Sequence, residues 1–309
     1  MKYLIDSIIR LDHWLEEHDF KGYEPRDGLS SKLTPLAFQN WFAKRVLQQL
    51  VLRCPFHIRP LIGVKPRMSM IGMGFLARGY IRMWNIDQEL IWKKRAIYCL
   101  DWLIDNKIPG YNGACWGNNY DYTSRGGQLP KYTPTVVWTG LIGQAFLDGY
   151  EVFGDKRYLD VAISSCEFIL KDLQHERYEK GICISYVPFN TSTIHNANMS
   201  GAALLSRTYS IIKRKELADV AREAMLFSCD CQLPNGAWYY GEADTYHWID
   251  NWHTAYNLDS LRWYILSTAR KFPSATPLVM RSSSPFSNKG DLPKFISFTL
   301  SGFISTPIT

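Results

Sequence analysis

The sequence predicts an all-α fold, an α/α toroid built of helical hairpins. Three observations predict it. Apolar residues recur at helical spacing along most of the chain. The helical segments come in pairs, and the pairs repeat at intervals of about 60 residues with the same internal marks. Strand signals between them are few and short.

Taken in order, residues 2–19 place Leu4, Ile5, Ile8, Leu11 and Leu15 on one helical face, with charges between them. The stretch 22–31 contains Gly22, Pro25, Asp27 and Gly28 and reads as a turn-rich loop. A second helix is expected from about Pro35 to Arg53, followed by an irregular Pro/Gly-punctuated stretch over 57–66. Helices are then expected in pairs over 69–86 and 88–106, 134–153 and 155–173, and 195–213 and 215–231, with a further one over 251–270. The second helix of each pair carries a large residue, an alanine four later and an aromatic six after that. These are Trp92, Ala96 and Trp102, then Tyr158, Ala162 and Phe168, then Leu217, Ala221 and Phe227. Such positions share a helical face, so each hairpin is expected to pack alike.

Each second helix is followed by a glycine and a short strand-like patch: 113–117, 181–186 and 236–240. The next helix then opens on a small pair, Thr139-Gly140, Ser200-Gly201 or Thr254-Ala255, which lets neighbouring helices approach around a common axis. In a ring of this kind inner and outer helices alternate. The long connections join outer helices to the next inner ones and gather at one end, which becomes the cleft. The N-termini of the inner helices face that end, and their partial positive charge favours carboxylates.

Composition narrows the function. At 309 residues, 46% hydrophobic and 21% charged, the chain is an ordinary globular protein with enough apolar mass for a sizeable core. Half of the net charge of +6 lies from Lys271 onward and the remainder is unclustered, so a nucleic-acid partner is not expected. Seven cysteines, odd in number and mostly in apolar surroundings, read as buried free thiols of a reducing compartment, and a cytoplasmic location is the expectation. No run of apolar residues is long enough for a membrane span. Cys229-x-Cys231 lacks zinc-knuckle spacing and the histidines are dispersed, so no metal and no cofactor is expected. Gly72 and Gly74 lie inside a helix-like stretch, which speaks against a phosphate loop.

The stretch 235–254 packs six aromatic rings, two histidines, three carboxylates and two asparagines between two helices. Aromatic faces grip the apolar faces of sugar rings, while short acids and amides read hydroxyls. The expected partner is therefore an oligosaccharide or polysaccharide. The hairpin repeat, the runs 111–117 (Tyr-Asn-Gly-Ala-Cys-Trp-Gly) and 195–198 (His-Asn-Ala-Asn), and the run 248–254 (Trp-Ile-Asp-Asn-Trp-His-Thr) resemble the six-hairpin glycosidase-like superfamily. The resemblance is to polysaccharide-biosynthesis proteins and to the C-terminal domain of glucuronyl C5-epimerases. It covers roughly residues 20–268 and implies a carbohydrate-active protein of polysaccharide biosynthesis or modification, either a glycoside hydrolase or a uronate epimerase or lyase. A noncatalytic glycan-binding or scaffold protein of the same fold is the alternative. After about Arg270 the chain departs from this pattern, so the toroid domain is expected over 1–270, incomplete at its C-terminus, with a non-helical tail over 271–309.

The candidate catalytic residues are Asp250, His253, His195, Asp121 and Glu242. Glycoside hydrolysis needs one protonated and one ionised carboxyl, and Asp121 with Asp250 or Glu242 is the best pair. Epimerisation or elimination instead needs a base, from Tyr240, His195 or His253, and a cation such as Arg125 or Lys131 to neutralise a uronate. Candidate sugar-contacting residues are Trp116, Asn196, Asn198, Tyr240, Trp248 and Trp252; Tyr120, Trp238 and Tyr239 belong to the same aromatic group. Three bland readings stand beside these. Asp250 is equally a helix N-cap, His195 equally a structural helix start, and Asp27 a turn residue.

Overall fold

In the computed structural model the described residues are 2–37, 40–124 and 127–268. Arg125 and the expected tail over 271–309 lie outside them. Nine α-helices occur among the described residues. Helix α1 (Lys2–Glu17) and helix α2 (Trp41–Arg53) precede three hairpins: α3 (Met70–Asp87) with α4 (Leu90–Asp105), α5 (Val136–Phe153) with α6 (Lys156–Lys171), and α7 (His195–Ile212) with α8 (Lys215–Asp230). Helix α9 (Asn251–Thr268) follows. Helices α3, α5, α7 and α9 pack in succession as the inner layer, and α4, α6 and α8 pack on them from outside.

The predicted pairing is therefore present, with one shifted boundary. Helix α2 begins at Trp41 rather than near Pro35, because Asn40 is extended and its side chain caps the helix by accepting from Ala43 N at 3.0 Å. Residues 34–37 form a separate 3-10 turn. Of the three strand-like patches only the second contains a ladder strand. Strand β3 (His175–Tyr178) pairs antiparallel with β4 (Gly181–Ile184). A second small hairpin, β1 (Tyr122–Ser124) with β2 (Gly127–Leu129), lies in the first long loop, where no strand was expected. It is tied to α2 by Gln48, whose amide accepts from Thr123 N at 2.9 Å and donates to Thr123 O at 3.0 Å.

Each inner helix turns into its outer partner through one left-handed residue: Gln88 at φ 58°, Gly154 at φ 70° and Lys213 at φ 60°. In each case the residue donates its N–H to the last-turn carbonyl of Trp84, Tyr150 or Tyr209. These turns are tight, so the long connections over 106–135, 172–194 and 231–250 all fall at the opposite end, beside the inner-helix N-termini.

Those connections hold the hairpins together by a repeated set of contacts. Three outer helices end with an orphan carbonyl that an aromatic N–H satisfies. Trp116 Nε1 donates to Leu103 O at 3.0 Å, His175 Nε2 lies 2.9 Å from Ile169 O, and Trp238 Nε1 donates to Ser228 O at 2.7 Å. Because a carbonyl only accepts, His175 carries its proton on Nε2. Gly113 and Gly181 then lie directly on the backbone of the next outer helix. A Cβ at Gly113 would overlap Ser164 O and Phe168 N of α6, and one at Gly181 would overlap Glu223 O of α8. The repeat alanines Ala96, Ala162 and Ala221 are fully buried where the outer helices meet the core.

Inner helices also approach through small residues, with Gly74 against Ile142, Gly140 against Ser200, Gly143 against Leu204 and Gly201 against Val136. At the end remote from the loops, one group from each inner helix joins a charged tie. Arg78 Nε and Arg207 Nη2 reach Asp148 at 2.8 and 2.6 Å, and the Arg207 guanidinium lies 4.2 Å from the Trp263 ring centroid. Helix α1 is fastened outside by Asp12, which accepts from Tyr80 Oη at 2.7 Å and pairs with Arg95 at 3.2 Å.

Two glycine substitutions separate the close approach from mere helix propensity. Gly113→Ala should lower stability by about 3 kcal/mol, since backbone rather than a flexible side chain stands in the way. Gly79→Ala, in α3 with nothing within 4 Å of the added carbon, should raise it by up to about 1 kcal/mol. Urea midpoints at unchanged slope measure both; a neutral Gly113→Ala would contradict the packing described.

Candidate active site

The loop-bearing end of the ring is organised by backbone contacts between neighbouring hairpins. The first N–H of α5 is accepted by Tyr186 O at 3.1 Å, and the first N–H of α7 by Tyr240 O at 3.2 Å. Each loop thus reaches back over the preceding inner helix, placing Tyr186 and Tyr240 at equivalent positions above it. Tyr240 is also held by its N–H to Trp248 O at 2.9 Å, and its ring stacks on Trp248 at 4.5 Å and 13°. His253 packs against the same ring at 4.5 Å and 64°.

Asp250 and His253 form the best-defined polar pair here. Asp250 Oδ1 accepts from His253 N at 2.8 Å, so the acid does cap α9. Its Oδ2 accepts from His253 Nδ1 at 2.6 Å and from Trp248 Nε1 at 3.2 Å. Burial raises the Asp250 pKa, but these donors and the His253 charge outweigh it and hold the carboxyl below its usual range. A carboxylate can only accept, so Nδ1 of His253 carries the proton and Nε2 is turned outward from the pair. Capping and orienting a histidine are here one arrangement.

The second acid–imidazole pair differs in depth. His195, at the first turn of α7, has a wholly buried side chain, while Glu242 is 38% exposed; Nε2 and Oε1 lie 2.7 Å apart. The hydrogen bond from His195 holds the Glu242 carboxyl below the usual range, against partial burial and with help from the His195 and His247 charges. His195 Nδ1 faces Ser228 Oγ at 3.2 Å. The connectivity Ser228–His195–Glu242 imitates a nucleophilic triad, yet Ser228 is fully buried in α8 and unreachable by a substrate.

The remaining sequence candidates fall in different places. Trp116 is fully buried, stacked on Phe146 at 5.6 Å; it is a helix cap and core residue with no face for a sugar. Asn198 is fully buried and committed to packing. Its Oδ1 accepts from Ile184 N at 2.9 Å, and its Nδ2 donates to Ala224 O at 2.7 Å and Ser228 Oγ at 2.9 Å. Asn196 is 4% exposed, also inside the ring. Asp121 accepts from Lys131 N at 2.9 Å in the first loop. The Lys131 ammonium lies 5.9 Å from the Tyr132 ring centroid. Trp252 is 70% exposed on α9. Tyr120 and Trp238 are buried, and Tyr239 stacks on His247 at 4.4 Å. Asp27 is buried and paired with Arg59 at 2.8 Å, a structural turn.

Three residues of this end were not singled out in the sequence: Arg26, Tyr122 and Tyr186. Arg26 Nη1 donates to Tyr122 Oη at 2.7 Å. Burial, then the neighbouring Tyr122 and against it the Arg26 charge, set the Tyr186 phenol well above its usual range. Burial likewise pushes Tyr240 up, reinforced by Tyr186, Tyr122, Tyr246 and Asp250. Arg26 and Tyr122 thus act on Tyr186, and Tyr186, Tyr122 and Asp250 on Tyr240. The available signal was the repeat itself, which makes Tyr186 the counterpart of Tyr240. Among the described residues no helix is long and apolar enough to cross a membrane.

The lowered Asp250 carboxyl has a testable consequence for stability. A depressed native pKa means that the unfolded chain binds the extra proton first, so this group's stabilisation is complete above the unfolded value of about 3.9 and is lost as pH falls through the native value. Asp250→Asn keeps an N-cap but loses the charge. Its stability deficit at pH near 7 should shrink steadily below about pH 4. Denaturation curves of both proteins across that range provide the check; a pH-independent difference would reject it.

No protein-family model matches the chain, and no curated protein matches it. Solved structures do. The GH76A alpha-1,6-mannanase of Salegentibacter sp. HEL1_6 superposes with a TM-score of 0.54 at 13% identity, covering 75% of this chain and 64% of the mannanase. An inactive variant of that enzyme, with two consecutive aspartates replaced by alanine and alpha-1,6-mannotetrose bound, gives 0.53 at 14% identity, covering 72% and 61%. The chain thus spans less than two thirds of the length of either, and it contains no two consecutive aspartates. At this identity the likeness establishes architecture: the chain has the α/α toroid fold that these mannanases share.

Proposed function

We propose that this protein acts on a polysaccharide carrying uronate sugars, removing a proton from the sugar carbon that bears the carboxylate, as an epimerase or lyase does. The observation that carries this reading is the Asp250–His253 pair at 2.6 Å, with its carboxyl held ionised. Asp250 fixes the tautomer and orientation of His253, whose Nε2 is the base. Tyr240, edge-on to His253 and with its phenol pushed above the usual range, stays protonated and serves as the proton donor. Arg26 supplies the cation for the uronate carboxylate, which takes up the electron pair left on carbon. Return of a proton to the opposite face gives the epimer. Expulsion of the neighbouring glycosidic oxygen gives the eliminated product. Tyr240 and Trp248 offer stacked rings for the sugar.

Hydrolysis is the less supported chemistry. It needs a carboxyl kept protonated, and two of the three acids of this loop, Asp250 and Glu242, are shifted the other way. The exposed Trp252 ring favours a second reading, a noncatalytic glycan-binding surface.

Incubation with a glucuronate-containing polysaccharide in D2O, followed by NMR, distinguishes these readings. Deuterium should enter at the carbon next to the carboxylate if the product is the epimer, and a carbon–carbon double bond should form there if it is the eliminated product. His253→Gln should slow this by about 10^2–10^4-fold and Tyr240→Phe should also impair it, while both keep their folded circular dichroism. New reducing ends with neither deuterium nor an unsaturated uronate would establish hydrolysis instead. Saturable binding with neither product would establish the noncatalytic reading.

A further inference from the structure

Three ligand-type side chains from separate elements meet apart from the Asp250–His253 pair, and the chemistry above leaves them unused. They are His195 at the start of α7, Cys231 at the residue that ends α8, and Glu242 in the following loop. His195 and Cys231 or Glu242 are far apart in sequence and match no zinc motif, which is why the sequence suggested no metal. In the fold, their ligand atoms all lie within 4.8 Å of one another.

The donor set is selective. An imidazole, a thiol and a carboxylate together match zinc, whereas magnesium and calcium prefer oxygen alone. A tetrahedral zinc with bonds of about 2.0–2.3 Å spaces its ligand atoms about 3.3–3.8 Å apart, a span this cluster brackets. His195 Nε2 and Glu242 Oε1, at 2.7 Å, must separate, and Glu242 is 38% exposed with room to do so.

The imidazole is also braced as a metal ligand is. Its Nδ1 faces Ser228 Oγ at 3.2 Å, its ring stacks on Phe227 at 5.8 Å, and Ser228 Oγ is itself fixed by Asn198 Nδ2 at 2.9 Å. On metal binding the Nε2 proton that now bonds Glu242 would leave, and Nδ1–H donated to Ser228 would hold the Nε2 lone pair toward the ion. Three protein ligands leave a tetrahedral ion one further position, and Glu242 is the exposed member of the set while His195 is buried.

We propose that His195, Cys231 and Glu242 bind one zinc ion with an open fourth position, tying the end of α8 and the 231–250 loop to the start of α7. This site stands independently of the uronate reading, because neither Asp250 nor His253 belongs to it.

The test uses the full chain, stripped with a chelator and titrated with zinc against a chromophoric competitor, then with cobalt. One equivalent should bind, and the cobalt form should show a thiolate-to-metal charge-transfer band. Cys231→Ser should weaken zinc binding by at least about 100-fold and abolish that band; Ser228→Ala, which removes only the brace, should weaken it by about 10-fold. Cys229→Ser, next to the site but outside it, should bind as the unaltered protein does. Should His195→Ala fail to fold, Glu242→Gln, altered on the exposed side, reads the same loss. Equal affinity in the unaltered and Cys231→Ser proteins, equal losses in Cys229→Ser and Cys231→Ser, or a cobalt spectrum without a thiolate band would overturn the proposal.

Discussion

The constraint on which the rest depends is the contact between each long loop and the next outer helix. Gly113 and Gly181 lie so close to α6 and α8 that no side chain fits between them. A helix pair has no intrinsic reason to stack in one register on its neighbour, since apolar faces slide at little cost. Backbone laid on backbone fixes both distance and register. The aromatic N–H caps from Trp116, His175 and Trp238 act at the same joint, satisfying an orphan carbonyl at each outer-helix end. Every hairpin is thereby locked to its own loop and, where these glycines lie, to the hairpin after it.

That locking accounts for a site made largely of loop residues. Loops are ordinarily the mobile part of a fold. Here Tyr186 and Tyr240 accept the first N–H groups of α5 and α7, so the loop backbone completes the inner helices. Asp250 is pinned by three donors, two of them from His253. A base is useful only if its orientation is set before substrate arrives. The helix start sets it at no separate cost, because the cap and the orienting carboxylate are one side chain.

The fold was legible because its signals are local and repeated. Helical periodicity placed every helix, and the triplet of large residue, alanine and aromatic exposed the hairpin repeat. The small pairs at inner-helix starts also emerged, as Gly140 and Gly201 confirm at the α5–α7 contact. Function was less legible, because one residue type serves several ends. Trp116 and Trp238 look like sugar platforms and are helix caps. Asn198 looks like a hydroxyl reader and is wholly spent on Ile184, Ala224 and Ser228. The repeat that revealed the fold could have sorted these, since a residue explained in every copy is doing structural work in each. By the same logic Tyr186 was recoverable as the partner of Tyr240. The meeting of His195 with Cys231 was not, because nothing local links the start of one helix to the end of another.

The two acid–imidazole pairs of the 231–250 region show how burial divides similar chemistry. In one, the imidazole is fully buried and the acid 38% exposed; in the other, imidazole and acid are both about one third exposed. A wholly buried ring with both nitrogens engaged cannot reach a sugar carbon, whatever its basicity. It can brace, or it can bind an ion that comes to it. A partly exposed ring with one nitrogen fixed by a carboxylate can present the other to a substrate. Sequence ranks His195 and His253 alike, since each opens an inner helix beside amides or an acid. Depth within the fold separates them: His195 is wholly buried and holds the loop, while His253 keeps about one third of its side chain exposed, as the proposed base must.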